Sequence, residues 1–136
     1  MILSILIPEI YQLIKMIKNL LLVGLGGCIG SMLRYLAWYF FKSPNFPVPT
    51  LMVNIAGSLI IGIVIGLSIK DPGFSNNWKL FLATGICGGF TTFSAFSIES
   101  LQMMMDGKYL LSSVYIMASI ILGIAATWIG FKMVVN

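Results

Sequence analysis

Four long apolar runs, separated by short stretches of proline, glycine and charged residues, form the main pattern along the chain. The hydrocarbon core of a bilayer is about 30 Å thick and is crossed by roughly 20 apolar residues in a helix. Each run has that length, and the connections are marked by helix breakers such as Pro44, Pro47 and Pro49. The pattern therefore predicts an all-α integral membrane protein, with four spans at about 19–41, 50–69, 78–105 and 110–133.

Composition places the chain in lipid and argues against the common chemistries of an enzyme. Of its 136 residues, 59% are hydrophobic and 9% are charged, and the mean hydropathy is +1.01, which is too apolar for a soluble domain of this size. There is no histidine, and Cys28 and Cys87 give neither a disulfide framework nor a metal-ligand spacing. No paired carboxylates or activated nucleophile motif is present. We therefore expect a non-enzymatic protein with a role in transport or membrane structure, in contact with lipid and not with nucleic acid.

The opening segment, 1–18, is apolar but also carries Pro8, Glu9, Lys15 and Lys18. It lacks the small-residue cleavage site and polar mature region that mark a signal peptide. We predict an N-terminal extension of the first helix, interfacial or frayed, followed by a four-helix transmembrane unit at 19–136.

The lysines indicate how the chain sits in the membrane. With four spans, both termini share a side with the loop between the second and third spans, and the positive-inside rule favours that side as cytoplasmic by five lysines to two. The five are Lys15, Lys18, Lys70, Lys79 and Lys132, and the two are Lys42 and Lys108. Because two of the five precede the first span, the bias is small, and the sequence also permits insertion in both orientations.

Polar residues at membrane depth are costly, so each one is a candidate for a partner, an aqueous path or a ligand. In the first span, Gly26, Gly30 and Arg34 share a face. This face predicts either close packing with an arginine that reaches the interface, or a role for Arg34 in anion attraction or dimer contact.

In the second span, Thr50 and Asn54 share a face, and the Asn54 amide offers uncharged N–H donors suited to an anion. A hydrogen bond to a neighbouring helix is the alternative for Asn54.

The third span contains the run GICGGFTTFSAF at 85–96. Adjacent glycines and adjacent threonines weaken a helix, so we predict a break in mid-span at Gly88 and Gly89. Such a break exposes carbonyls that can hold a small cation, and free N–H groups beyond them. Phe93 and Phe96 are three residues apart, and their ring edges suit weak stabilisation of an anion; ordinary packing would use the same spacing.

The remaining polar groups lie in the last two spans. Ser112, Tyr115 and Ser119 form a stripe at helical spacing, which predicts either a hydroxyl track or a helix interface. Glu99 is expected to pair with a basic group or a backbone donor.

Three segments together resemble the Fluc (CrcB) family of fluoride channels in order and spacing. They read GGCIGSMLRY at 26–35, TLMVNIAGS at 50–58 and GICGGFTTFSAF at 85–96. The resemblance covers all four spans and implies an antiparallel, dual-topology dimer in the bacterial plasma membrane. It further implies two pathways by which cytoplasmic fluoride leaves passively. A homodimer is the simplest assembly, and a heterodimer with a homologous subunit is the alternative.

The resemblance also implies roles for individual residues. The pore lining falls on Asn54, Phe93 and Phe96, and the associated polar track falls on Thr50, Tyr115 and Ser119. A structural sodium ion at the dimer centre would be bound by the backbone carbonyls of Gly88 and Thr91, and Arg34 matches the arginine of the family's first helix. The chain departs from the family at Ala95 and Gly123, where a threonine and, in some members, a serine are usual. Each departure removes a hydroxyl from the predicted track.

Two other functions are weighed against the channel. A small dual-topology exporter would need a carboxylate inside its first span, and this chain has none there. A structural or regulatory subunit would explain the glycine seams, but the predicted break in the third span is more elaborate than packing requires.

Overall fold

The computed structural model describes residues 2–71 and 73–136, and all regular elements in these residues are helical. Four helical stretches are long and apolar enough to cross a membrane, which confirms the predicted fold class. In chain order the elements are α1 (Ile2–Phe41), α2 (Val48–Lys70), α3 (Asn76–Lys79), a π-helical segment (Leu80–Cys87), α4 (Gly88–Phe90), α5 (Phe93–Met105) and α6 (Tyr109–Val135).

The first helix includes the N-terminal extension. It runs for 40 residues from Ile2 and includes Pro8, whereas the first span was expected to begin near residue 19. The extension at 2–18 is therefore helix continuous with the first span. Its residues are mainly isoleucine, leucine and methionine, so hydropathy alone offers no boundary between the extension and the span.

The third span, Asn76–Met105, is interrupted three residues later than predicted. Gly88 has helical dihedral angles and begins α4, whereas Thr91 and Thr92 have extended backbones with ψ angles of 157° and 116°. Thr92 caps the helix that follows, because its Oγ1 accepts a hydrogen bond from the Ala95 N–H at 3.1 Å. The interruption thus lies at the threonines and not at the glycines.

Glycines instead mark the places where helices pack closely. A Cβ atom added at Gly89 would overlap the Gly27 carbonyl oxygen, one at Gly62 would overlap the Thr127 carbonyl oxygen, and one at Gly130 would overlap that of Leu59. At these glycines one backbone lies directly against another, with no side chain between them. Such contacts hold the first span against the third and α2 against α6.

Gly26 and Gly24 in α1 give a direct test of this packing. A Cβ at Gly26 would lie 2.5 Å from the Phe81 carbonyl oxygen, whereas one at Gly24 meets nothing within 4 Å. We expect Gly26→Ala to destabilise the protein by about 1–3 kcal/mol, because backbone atoms cannot move aside easily. Gly24→Ala should be neutral or stabilising, because alanine favours a helix over glycine. Thermal unfolding in detergent measures both, and equal melting temperatures for the two variants would contradict the packing.

Candidate functional site

The side chain of Asn54 holds the interruption of the third span in place. Its Nδ2 donates to the Thr92 carbonyl oxygen at 3.1 Å, and its Oδ1 accepts from the Thr92 N–H at 2.8 Å. Backbone groups outside a helix must find partners at membrane depth, and one carboxamide satisfies both groups of Thr92. This pairing uses one of the two N–H groups of the amide.

An open cleft of about 260 Å³ lies beside this pair, and we call it the Asn54 cleft. No charged side chain lines it. Its lining residues are Asn54, Ser58, Thr91, Thr92, Phe93, Phe96, Ser119 and Ile120. Four of the residues singled out from the sequence, from α2, α5 and α6, thus meet at one place.

Three side chains give the Asn54 cleft its chemistry. The Ser119 hydroxyl is buried and has no hydrogen-bond partner among the described residues. The ring of Phe93 is 79% exposed, and its centroid lies 5.7 Å from that of the half-buried Phe96. A free hydroxyl and aromatic ring edges can each face an anion without carrying a charge.

The other two predicted track residues meet at Glu99. Thr50 donates from Oγ1 to one carboxylate oxygen at 2.6 Å, and the Tyr115 hydroxyl donates to the other at 2.8 Å. Thr50 and Tyr115 are both buried. The expectation that Glu99 pairs with a basic group or backbone donor is wrong, because its partners are two side-chain hydroxyls.

Aromatic contacts connect this cluster to the Asn54 cleft. The ring centroid of Tyr115 lies 5.3 Å from that of Phe96 and 5.4 Å from that of Phe46. Phe96 therefore borders both the cleft and the carboxylate cluster.

A second cavity, of about 350 Å³, also borders the interruption. Arg34 and Glu99 both line it, together with Thr92 and Ala95, so Thr92 borders both cavities. Arg34 Nη1 approaches the Thr91 carbonyl oxygen at 3.4 Å. Ala95 adds a methyl group to this lining.

Gly88 and Thr91 lie one helical turn apart at the end of α4. Since α4 ends at Phe90, no N–H group of a following helical turn donates a hydrogen bond to the carbonyls of its last turn. The Gly88 Cα is exposed, and a Cβ there would meet nothing within 4 Å.

The sequence analysis missed two roles in this arrangement. Thr92 both caps α5 and joins Asn54, and Glu99 collects the hydroxyls of Thr50 and Tyr115. The adjacent threonines were the sequence signal for the first role. A glutamate in an apolar span without a basic residue near it in sequence was the signal for the second.

Comparison with known proteins assigns the chain. The family described as "CrcB-like protein, Camphor Resistance (CrcB)" matches residues 21–131, which is most of the chain. The chain belongs to the CrcB family. Among CrcB relatives, a "Fluoride-specific ion channel FluC" of Leptospira interrogans is 45% identical over 122 residues, covering 88% of this chain and 96% of the relative. Proteins of the same name from Azobacteroides pseudotrichonymphae and Agrobacterium fabrum are 43% and 44% identical. These matches cover 85% of this chain in each case, and 95% and 94% of the respective relatives. The CrcB match begins after the N-terminal extension and includes every residue of the Asn54 cleft.

Proposed function

We propose that this chain is the subunit of a fluoride-selective channel that lets cytoplasmic fluoride leave the cell passively. The observation that carries the proposal is the Asn54 cleft, which brings an amide, a free hydroxyl and two aromatic rings together without a charged side chain. Fluoride holds its water tightly, so a selective path must replace that water with other donors. Neutral donors do so without binding the ion too tightly to release it.

The proposed pathway follows the Asn54 cleft. Asn54, Ser119 and the ring edges of Phe93 and Phe96 stabilise the anion along the open cleft. Thr50 and Tyr115 donate their only O–H groups to Glu99, so in this arrangement they fix the carboxylate beside the path and do not donate to the anion. Arg34 in the second cavity attracts anions toward the interruption of the third span.

An antiparallel dimer completes the pathway in this proposal. The Asn54 cleft is open on one side, and the large ring of Phe93 is exposed there. A second copy of the chain would close it and give two equivalent paths, one for each cleft. The small lysine bias of 19–136, three against two, supports insertion in both orientations. A heterodimer with a homologous subunit would satisfy the same geometry.

A structural sodium ion at the dimer centre fits the end of α4. The Gly88 carbonyl, in the last turn of the helix, and the Thr91 carbonyl just beyond it would hold the ion, since carbonyls at a helix C-terminus carry negative partial charge. The Thr91 carbonyl also accepts from Arg34 Nη1 at 3.4 Å, so the ion would share it with that guanidinium. The open space beside Gly88 would admit the same two carbonyls from a second copy. The ion would fix the two interrupted spans to each other and would not enter the fluoride path.

Fluoride efflux from liposomes that contain the purified protein tests the function, with chloride as the control anion. Fast fluoride efflux without chloride efflux is the expected result. Folded protein that moves neither anion, or moves both equally, would contradict the proposal.

The unpartnered hydroxyl of Ser119 allows binding to be separated from folding. We expect Ser119→Ala to slow fluoride efflux without lowering thermal stability, because no hydrogen bond within the chain is lost. Ser112→Ala on the same helix is the matched control, since Ser112 is buried and donates to the Ser100 carbonyl oxygen at 3.0 Å. That variant should lose about 1–3 kcal/mol of stability. Unchanged efflux in Ser119→Ala would remove this hydroxyl from the pathway.

A further inference from the structure

The N-terminal half of α1 extends past the rest of the chain. Every residue from Leu6 to Lys18 is exposed, and Asn19 is the first that is partly covered. At 1.5 Å per residue, the 36-residue apolar stretch Leu6–Phe41 is about 54 Å long, against a hydrocarbon core of about 30 Å. The whole stretch would stay in the core only at a tilt of more than about 50°. Such a tilt is larger than the tilt angles of transmembrane helices. The extension must therefore leave the hydrocarbon core.

The extension is also strongly two-sided. Its apolar face is centred on Leu6, Ile10, Leu13 and Ile17. These residues follow one another at helical spacings of four, three and four, and each side chain is about half exposed. Gln12, Lys15 and Asn19 lie on the opposite face, and the charged groups of Glu9 and Lys18 fall at the margins. A helix at a membrane surface has an apolar face and a polar face that carries lysine. The extension has both, and its residues from Leu6 to Lys18 pack on no other described part of the chain.

The register of the two faces gives the direction in which the extension turns. The polar face continues at helical spacing to Gly26 and Gly30, which lie against the third span. The apolar face continues to Leu21, Gly24 and Cys28, which point away from the other helices. A helix that bends outward as it leaves the bilayer turns its outward-facing side down onto the membrane. The apolar face of the extension is the side that such a bend would place on lipid.

α1 is one continuous helix in the structure of the single chain without a bilayer. From these observations we infer that, in the bilayer, residues 2–18 turn away from the axis of α1 near Asn19 and lie in the lipid headgroup region as an amphipathic anchor. The apolar face enters the acyl boundary, and Lys15 stays among the headgroups, where anionic lipid favours it. The inference does not depend on the ion that the protein conducts, because it uses only the extension and the outer side of α1. The family match begins at residue 21, so the anchor lies outside the residues that the family model matches.

Spin labels on opposite faces of the extension test this inference in the full chain. Leu13→Cys and Gln12→Cys, each in a Cys28→Ala/Cys87→Ala background, are labelled in vesicles of phosphatidylcholine and phosphatidylglycerol. We expect the label at 13 to collide more with oxygen than with a water-soluble nickel complex, and the label at 12 to show the reverse. A scan from 6 to 17 should repeat this contrast with a helical period and a shallow, constant depth.

Three outcomes would overturn the inference. Nickel access at both positions would show a helix standing in water, and oxygen access at both with increasing depth would show a tilted span. Protection of position 13 from both reagents would show a protein partner. A photoreactive amino acid at 13 in the chain with its native cysteines gives a second measurement, which should yield crosslinks to lipid. Crosslinks only to protein would contradict the anchor, and fluoride efflux in the same vesicles reports separately on the proposed channel.

Discussion

Asn54→Asp is expected to lower fluoride efflux by at least about a hundredfold. Aspartate can still accept from the Thr92 N–H, but its carboxylate cannot donate to the Thr92 carbonyl oxygen or to an anion in the cleft. It also places a negative charge beside the path of a negative ion. Two like charges 4 Å apart repel by about 4 kcal/mol at an effective dielectric constant of 20. Each 1.36 kcal/mol added to a barrier slows passage about tenfold, and liposome efflux measures the change directly.

Gln102→Glu is the matched control for this substitution. It makes the same change from amide to carboxylate in the same interrupted span, but Gln102 is exposed and does not line the Asn54 cleft. We expect efflux in this variant to stay within a few fold of the original. Equal losses in the two variants would mean that added negative charge acts at a distance, and the direct role of Asn54 would then be wrong.

Periodicity and hydropathy predicted most of the architecture. The second and fourth spans were predicted to within two residues at each end. Breakers or charged residues bound the second span on both sides and precede the fourth. α1 begins at Ile2, before the predicted span, because the residues of the extension at 2–18 are also helical and apolar. Only their two-sided pattern, which an average over all residues conceals, separates them from the transmembrane part.

The position of the interruption shows what local sequence cannot supply. Gly88 and Gly89 have the poorer helix propensity, yet they remain helical, and Gly89 lies where the third span packs on the backbone of Gly27. Thr92 leaves the helix because Asn54, 38 residues earlier, satisfies both of its backbone groups. A local weakness therefore breaks a helix only where tertiary partners replace the lost hydrogen bonds.

The residues of the candidate site could be predicted from the sequence, but their contacts across spans could not. Residue type and spacing were enough to nominate Asn54, Phe93, Phe96 and Ser119, and the structure brings all four to one cleft. The partner of Thr50 could not be predicted, since Glu99 lies 49 residues away on another span and no spacing rule links residues on different helices. Contacts between spans depend on how the helices rotate, and the glycine seams fix that rotation only after packing.

Phe93→Val is expected to lower fluoride efflux by about tenfold or more while the protein stays folded. The Phe93 ring is 79% exposed in the single chain, so its removal takes little packing from the subunit. Its loss removes a ring edge from the Asn54 cleft, and a tenfold fall corresponds to about 1.4 kcal/mol of barrier. Phe96→Val should show the same fall together with lower stability, because Phe96 is half-buried and packs on Tyr115.

Phe40→Val in α1 is the matched control, because Phe40 is 71% exposed and lies outside both cavities. Its efflux should match that of the original protein, and size-exclusion chromatography should give one elution volume for all the variants. If Phe93→Val and Phe96→Val both kept full efflux, the rings would be packing groups, and the pathway would have to run along the hydroxyls and Arg34 alone. If only Phe96→Val lost efflux, its contact with Tyr115 would be the element that matters, and the ring edge of Phe93 would have no part in conduction.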